Sequence, residues 1–193
     1  MEAAKWNSGT GGTVSGNQWT SKSMPYLAAR PPGATDAWTD EAAEAGRRGG
    51  QRVLHAGEVA APNTVALMLG LTVGSTVVVR RRIIELDQEP TELTDTYYPP
   101  DIAAGTALAG TAKIRGGAVT LLAALGHVGV RVIESVTARM PDDEERAQLH
   151  LAPAEPVLQL ARTTYDSADR AIQADIMVMP AGRHQLRYEI RIG

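Results

Sequence analysis

The run Thr76-Val77-Val78-Val79-Arg80-Arg81-Arg82-Ile83-Ile84-Glu85-Leu86 meets the run Thr91-Glu92-Leu93-Thr94-Asp95-Thr96-Tyr97-Tyr98 across the turn Asp87-Gln88-Glu89-Pro90. Both runs are rich in β-branched residues and tyrosine, the side chains that fit a pleated, half-buried surface. So short a connection between two such runs specifies an antiparallel hairpin. Pro99-Pro100 ends the second strand, because proline offers no N–H to a ladder. Alternate side chains of a strand share a face. Arg80, Arg82 and Ile84 therefore point one way, and Arg81 and Ile83 the other. On the partner strand Glu92, Thr94, Thr96 and Tyr98 lie together.

Upstream of the hairpin, Pro62 to Gly70 reads as a short helix closed by glycine, and Val53 to Val59 as a strand. Further back, Asp36 or Thr39 caps an Ala/Glu-rich helix with acidic residues in its first turn, and Gly49-Gly50 stops it. Residues 1–25 are rich in Gly, Ser and Thr and read as a flexible extension to a domain spanning 26–193. Trp6, Trp19 and Trp38 all fall in the first 38 residues, which suits an arm folding back on the domain or a partner-binding tail. Downstream, Val119 to Gly126 reads as a helix, Val130 to Arg139 as a strand, and Asp142 onward as an acid-started helix after Pro141. Val157 to Asp166, Ala171 to Met179 and Leu186 to Ile192 complete the strands. Antiparallel strands with inserted helices, and no strand-helix-strand rhythm, predict an α+β domain.

The chain has 193 residues, enough to bury roughly 70% of its unfolded surface as one domain. It has no cysteine, which removes disulfides, thiolate metal sites and cysteine nucleophiles. His55, His127, His150 and His184 stand at no metal-ligand spacing, so neither metal nor cofactor is expected. Ser135 and Ser167 lack the context of a hydrolase nucleophile. With 19 Lys+Arg against 22 Asp+Glu, the net charge of −3 suits a chain that does not itself grip nucleic acid. No apolar run approaches a membrane span and no signal-type N-terminus is present, so a cytoplasmic protein away from membranes is expected.

From Tyr26 to Ile192 the order of pieces resembles the UTRA domain. This is the effector-binding module of the HutC subfamily of GntR-type transcription regulators, and it has a chorismate-lyase-like fold. The likeness is carried by Ala61-Pro62, Leu69-Gly70-Leu71, Gly74 and the hairpin into Glu89-Pro90. Tyr97-Tyr98-Pro99, Leu122 with Leu125-Gly126, Glu134 to Pro141, and Pro156-Val157-Leu158 with Arg162-Thr163-Thr164-Tyr165 add to it. The first 25 residues are too few and too glycine-rich for the winged helix-turn-helix of such regulators, and the chain opens on Met1. A stand-alone ligand module without a DNA-binding domain is the expectation. The resemblance also implies a homodimer, in keeping with the need to cover sheet edges.

The resemblance implies where a small-molecule ligand sits. In sugar-phosphate-sensing members the positions of Arg82 and Ile84 both carry arginine, and that of Thr94 carries glutamate. Gly117 and Val119 stand where such members show serine and tyrosine. With Arg82 kept and the others changed, a carboxylated or largely apolar ligand fits better than a sugar phosphate. Arg82 is expected to hold a carboxylate or polarised carbonyl, with Arg80, Glu92, Thr94 and Tyr98 around it. Alternatively, Arg82 forms a salt bridge to Glu92 or Glu134. On Ala171 to Met179, the face Gln173, Asp175, Met177 and Met179 sets a carboxylate among methionines, which suits a cavity wall or a half-covered edge. His184 aligns near a position where the family places a ligand-contacting aromatic. Because the fold is shared with a lyase, the alternative function is a biosynthetic enzyme of lyase, cyclase or isomerase type, using Arg82 and an acid such as Asp175 or Glu92.

Overall fold

Residues 19–21, 23–31 and 34–189 are described by the structure, a computed structural model. Residues 1–18, Trp6 among them, and the end of the expected last strand at Ile192 lie outside the described residues. β1 (Trp19–Ser21) is followed by a single 3-10 turn at Met24–Tyr26. The extension drawn to residue 25 on sequence thus contains paired and packed chain from Trp19 onward.

Helix α1 (Ala37–Glu44) is capped by Asp36, whose carboxylate accepts from the Thr39 N–H. It ends at Gly46, in the left-handed region at φ 70°, and not at Gly49-Gly50 as the sequence suggested. Those glycines instead begin β2 (Gly49–Ala60), which runs longer than the expected Val53 to Val59. A Cβ on Gly49 would stand 2.9 Å from Trp38 Nε1, so glycine lets the strand pass under that indole. Helix α2 (Asn63–Leu69) closes on Gly70 at φ 65°.

β3 (Thr76–Leu86) and β4 (Glu89–Tyr98) form the hairpin. The connection is two residues long, with Asp87 at φ 53° and Gln88 at φ 73°, the sign pattern of a type I′ turn. Asp87 holds that geometry by accepting from Arg48 N at 2.8 Å and Arg47 Nε at 2.7 Å. Helix α3 (Pro100–Ala103) follows at once, and then α4 (Gly117–Ala124), two residues ahead of its expected start. β5 (Arg131–Arg139) leads into α5 (Asp143–Gln148), where Asp142 and Glu145 form a capping box. β6 (Val157–Tyr165) and β7 (Ala171–Pro180) complete the large sheet. Among the described residues the last strand is β8 (His184–Leu186), which begins two residues ahead of the expected Leu186, and it pairs with β1 in parallel.

The six-stranded sheet has the order β2-β3-β4-β7-β6-β5, antiparallel throughout. β7 is therefore an interior strand rather than a half-covered edge. One face buries Val77, Val79, Tyr97 and Ala174 beneath Val65, Ala66 and Leu69 of α2. The same face continues to Leu149 and Leu151, packed on Val157 and Val178. On the other face Val78 and Tyr98 meet Ile102, Leu108 and Leu122. At its far end Trp19 and Trp38 stack edge to face, centroids 5.0 Å apart, over Leu86. Between these two clusters the second face stays open.

Candidate ligand-binding cavity

Strand register sets the floor in rows. One row reads Glu134 (β5), Arg162 (β6), Asp175 (β7), Thr96 (β4) and Arg80 (β3). The next reads Leu160, Met177, Thr94 and Arg82. A polar row thus lies beside a half-apolar one, because every second residue of each strand arrives on this face. The polar groups hold one another. Arg82 donates to Thr96 Oγ1 at 2.9 Å and to Gln51 Oε1 at 3.4 Å. Thr96 Oγ1 in turn donates to Asp175 Oδ1 at 2.8 Å, and Gln173 Nε2 donates to the other Asp175 oxygen at 2.7 Å. Arg162 Nε donates to Glu134 at 2.6 Å.

The roof comes from the N-terminal segment and the start of α4. Ser21, Ser23, Tyr26 and Arg30 hang over the sheet, joined by Asp36 and by Gly116, Gly117 and Val119. Ser23 reaches the floor, donating to Glu134 at 3.1 Å. Thr120 ties the two parts of the roof: its hydroxyl accepts from Arg30 N at 3.0 Å and donates to Gly116 O at 2.7 Å. Tyr26 bonds Glu41, and Arg30 pairs with Asp40. Between roof and floor lies a cavity of about 180 Å³. That is room for on the order of a dozen waters, or a ligand of about as many non-hydrogen atoms.

Nine of the residues offered on sequence as lining are found around this cavity: Arg82, Glu92, Thr94, Tyr98, Gln173, Asp175, Met177, Met179 and His184. Arg80 does not, although alternation puts it on the same face. Its guanidinium turns to the loop after α3 and donates to the carbonyls of Ala107 (3.3 Å), Gly110 and Ala112 (3.2 Å). A buried charge needs such partners, and the loop offers three carbonyls that need donors. Arg82 also forms neither of the salt bridges considered for it: Glu134 is taken by Arg162, and Glu92 stands beyond ion-pair distance. Arg162 and Gln51, which the sequence reading did not place there, line the cavity as well. For Arg162 the signal was present, since it shares a strand face with Leu160 two residues before it.

Several groups here are electrostatically unsettled. Burial pushes the Glu92 carboxyl above its usual range, against the pull of the Thr94 hydroxyl and the Arg82 and Arg162 charges. Burial likewise raises Tyr98. Burial and the nearby Arg183 hold His184 down to about 4, so its imidazole is neutral at physiological pH. Burial opposes the ionised form of Glu134, yet Arg162 keeps it below the ordinary carboxylate range. Buried polar atoms without a partner concentrate on this cavity: Arg30 Nε, Arg82 Nε, Gln173 Oε1 and His184 Nδ1, while Tyr98 Oη makes no bond of good geometry. Among the described residues no cluster of three His, Asp or Glu could hold a metal ion, and no helix is long and apolar enough to cross a membrane.

An antiparallel sheet with one face left open under a chain-built roof defines a ligand-receiving α+β module. The chain belongs to the UTRA domain family, whose family model matches residues 44–185. It is 33% identical over 138 residues to an HTH-type transcriptional regulator of Streptomyces coelicolor, covering 69% of this chain and 51% of the relative. The chain thus spans about half the length of that curated relative. Among solved structures, the effector domain of PhnF from Mycobacterium smegmatis superposes with a TM-score of 0.69 at 22% identity, over 80% of this chain and 94% of that one. The ligand-binding domain of a regulator assigned to the GntR family from Bordetella bronchiseptica gives 0.66 at 27% identity, over 75% and 90%. The α+β, UTRA-type fold expected from sequence is the fold observed. The effector-domain reading is favoured over the biosynthetic-enzyme alternative, since the similar proteins are regulators and their effector domains.

Proposed function

We propose that this chain is an effector-binding module that receives a small molecule in the cavity between the β3-β4-β7-β6 floor and the 19–31 roof. The observation that supports this most is the gathering of unpaired buried polar atoms around one roofed cavity. Each costs roughly 1–3 kcal/mol when left unsatisfied, and a ligand recovers that cost on binding. Arg82 is the anchoring group, because a guanidinium fork holds a carboxylate in two parallel bonds. Thr94, Tyr98, Asp175, Met177 and His184 shape the rest. A carboxylated, mostly apolar molecule suits this lining better than a sugar phosphate.

The roof segment leads directly into the N-terminal residues, so a ligand touching Ser23, Tyr26 or Arg30 biases whatever precedes residue 19. The module itself leaves duplex DNA alone, given its net charge of −3, and it acts as a homodimer in the cytoplasm. A thermal-shift screen over anionic, dipolar and neutral metabolites tests the reading. A true ligand at a hundred times its Kd adds about 2.7 kcal/mol of stability. A protein that no small molecule stabilises is not an effector module.

A further inference from the structure

We infer that the ligand is dipolar, carrying a carboxylate received by Arg82 and a protonated amine-type group received by Glu92 or Asp175, which flank the Arg82 row on either side. This rests on the effector reading above and names the class of molecule for the same cavity. The argument is one of charge balance. Of the charged side chains lining the cavity, Arg30 is closed by Asp40, Asp36 by Lys113 at 3.2 Å, and Arg162 by Glu134 at 2.6 Å. Arg82, Glu92 and Asp175 remain. Among the described residues none of the three has an opposite charge at ion-pair distance.

Their hydrogen bonds go to neutral groups only. Arg82 donates to a threonine hydroxyl and a glutamine carbonyl, and its Nε is buried with no partner. Glu92 accepts from the Thr94 hydroxyl. Asp175 accepts from Thr96 and Gln173. Arg82 and Glu92 are diagonal neighbours on paired strands, Arg82 opposite Thr94 and Glu92 opposite Ile84. A sheet built for stability alone would close such a pair, because an unpaired charge in a water-poor site is costly. Here the two threonine hydroxyls take their place and keep the charges apart.

One free cation thus faces two free carboxylates. A purely anionic ligand satisfies Arg82 and sets its charge against both carboxylates; a purely cationic one abandons Arg82. A molecule with both charges meets Arg82 and one of the two carboxylates. Glu92 and Thr94 lie one pleat period apart, about 7 Å, so the two charged ends are a few bonds from each other. With room for about a dozen non-hydrogen atoms, the class is that of amino acids and short ω-amino acids.

The test uses matched sets in which one scaffold appears as amino acid, acid and amine: phenylalanine with 3-phenylpropionate and 2-phenylethylamine, and 4-aminobutyrate with butyrate and butylamine. Binding to the full chain is measured by calorimetry for wild type, Arg82→Met, Glu92→Gln and Asp175→Asn, each checked for folding by near-ultraviolet circular dichroism. In at least one set the amino acid binds wild type ten times or more tighter than either counterpart. Glu92→Gln or Asp175→Asn then lowers it to the level of the acid, and Arg82→Met to that of the amine. The inference is overturned if the acid matches its amino acid in every set that binds, or if both carboxylate variants leave the amino acid's affinity unchanged. It is also overturned if no set binds and wild type retains a polyol or phosphate ester; the effector reading then survives. If no small molecule is bound or retained at all, that reading falls as well.

Discussion

Arg80 and Arg82 show how far a side chain's role departs from its strand position. Both point to the same face, and sequence alternation could say no more. Arg80 spends its guanidinium on the carbonyls of residues 107–112, a segment whose Ala, Gly and Thr content gives no hint that it needs a donor. Arg80→Met should therefore cost about 3 kcal/mol, lowering Tm by roughly 6–12 °C in a thermal melt. A melt within a degree or two of wild type would show that the loop finds other donors. His184 makes a pH prediction. Its folded value near 4 lies below the unfolded 6.5, so the unfolded chain takes up the proton first. Stability is complete above pH 6.5 and falls as pH drops from there toward 4. Between pH 7 and pH 5 this amounts to about 2 kcal/mol. Urea titrations at the two pH values should show that loss in wild type and not in His184→Asn; equal losses would place the proton elsewhere.

At the level of elements, the sequence was most legible where local pattern and tertiary role agree. The ends of β3 and the α2 stop at Gly70 follow from β-branching and a left-handed glycine, while the turn read over Asp87 to Pro90 closes in two residues and β4 begins already at Glu89. The roof was not legible. Strand β1 is three residues long, and its parallel pairing with β8 joins chain ends 165 positions apart, which no local period announces. Pairing of that kind also starts β8 at His184, two residues ahead of the expected Leu186. Thr120 is the test of the roof, since one hydroxyl links Arg30 to the turn at Gly116. Thr120→Val keeps the shape and removes both bonds, at about 1–2 kcal/mol. Acrylamide should then quench the Trp19 and Trp38 emission more readily, and ligand affinity should fall. Unchanged quenching would mean that the roof is held by its other contacts.

For the whole molecule, the long sheet ends on β5, a regular edge without proline or bulge against β6. Ile133 and Val136 on it are 51% and 43% exposed, and Val128 and Val130 beside it 55% and 63%. Such an edge invites another strand, and it is where the homodimer proposed above would pair its second copy. Light scattering at about 50 µM, well above weak interface constants, should report a dimer, and Ile133→Lys a monomer. A monomeric wild type would leave the edge without that role.

The claim on which the rest depends is that the cavity over β3, β4, β7 and β6 holds a small molecule through Arg82. Native mass spectrometry of freshly purified wild type beside Arg82→Met tests it most directly. The account predicts a bound mass the size of a small metabolite on wild type and its loss from a folded Arg82→Met, with affinity down roughly ten- to a hundredfold. The same bound mass on both proteins, or none on wild type even after incubation with a metabolite extract, would contradict it.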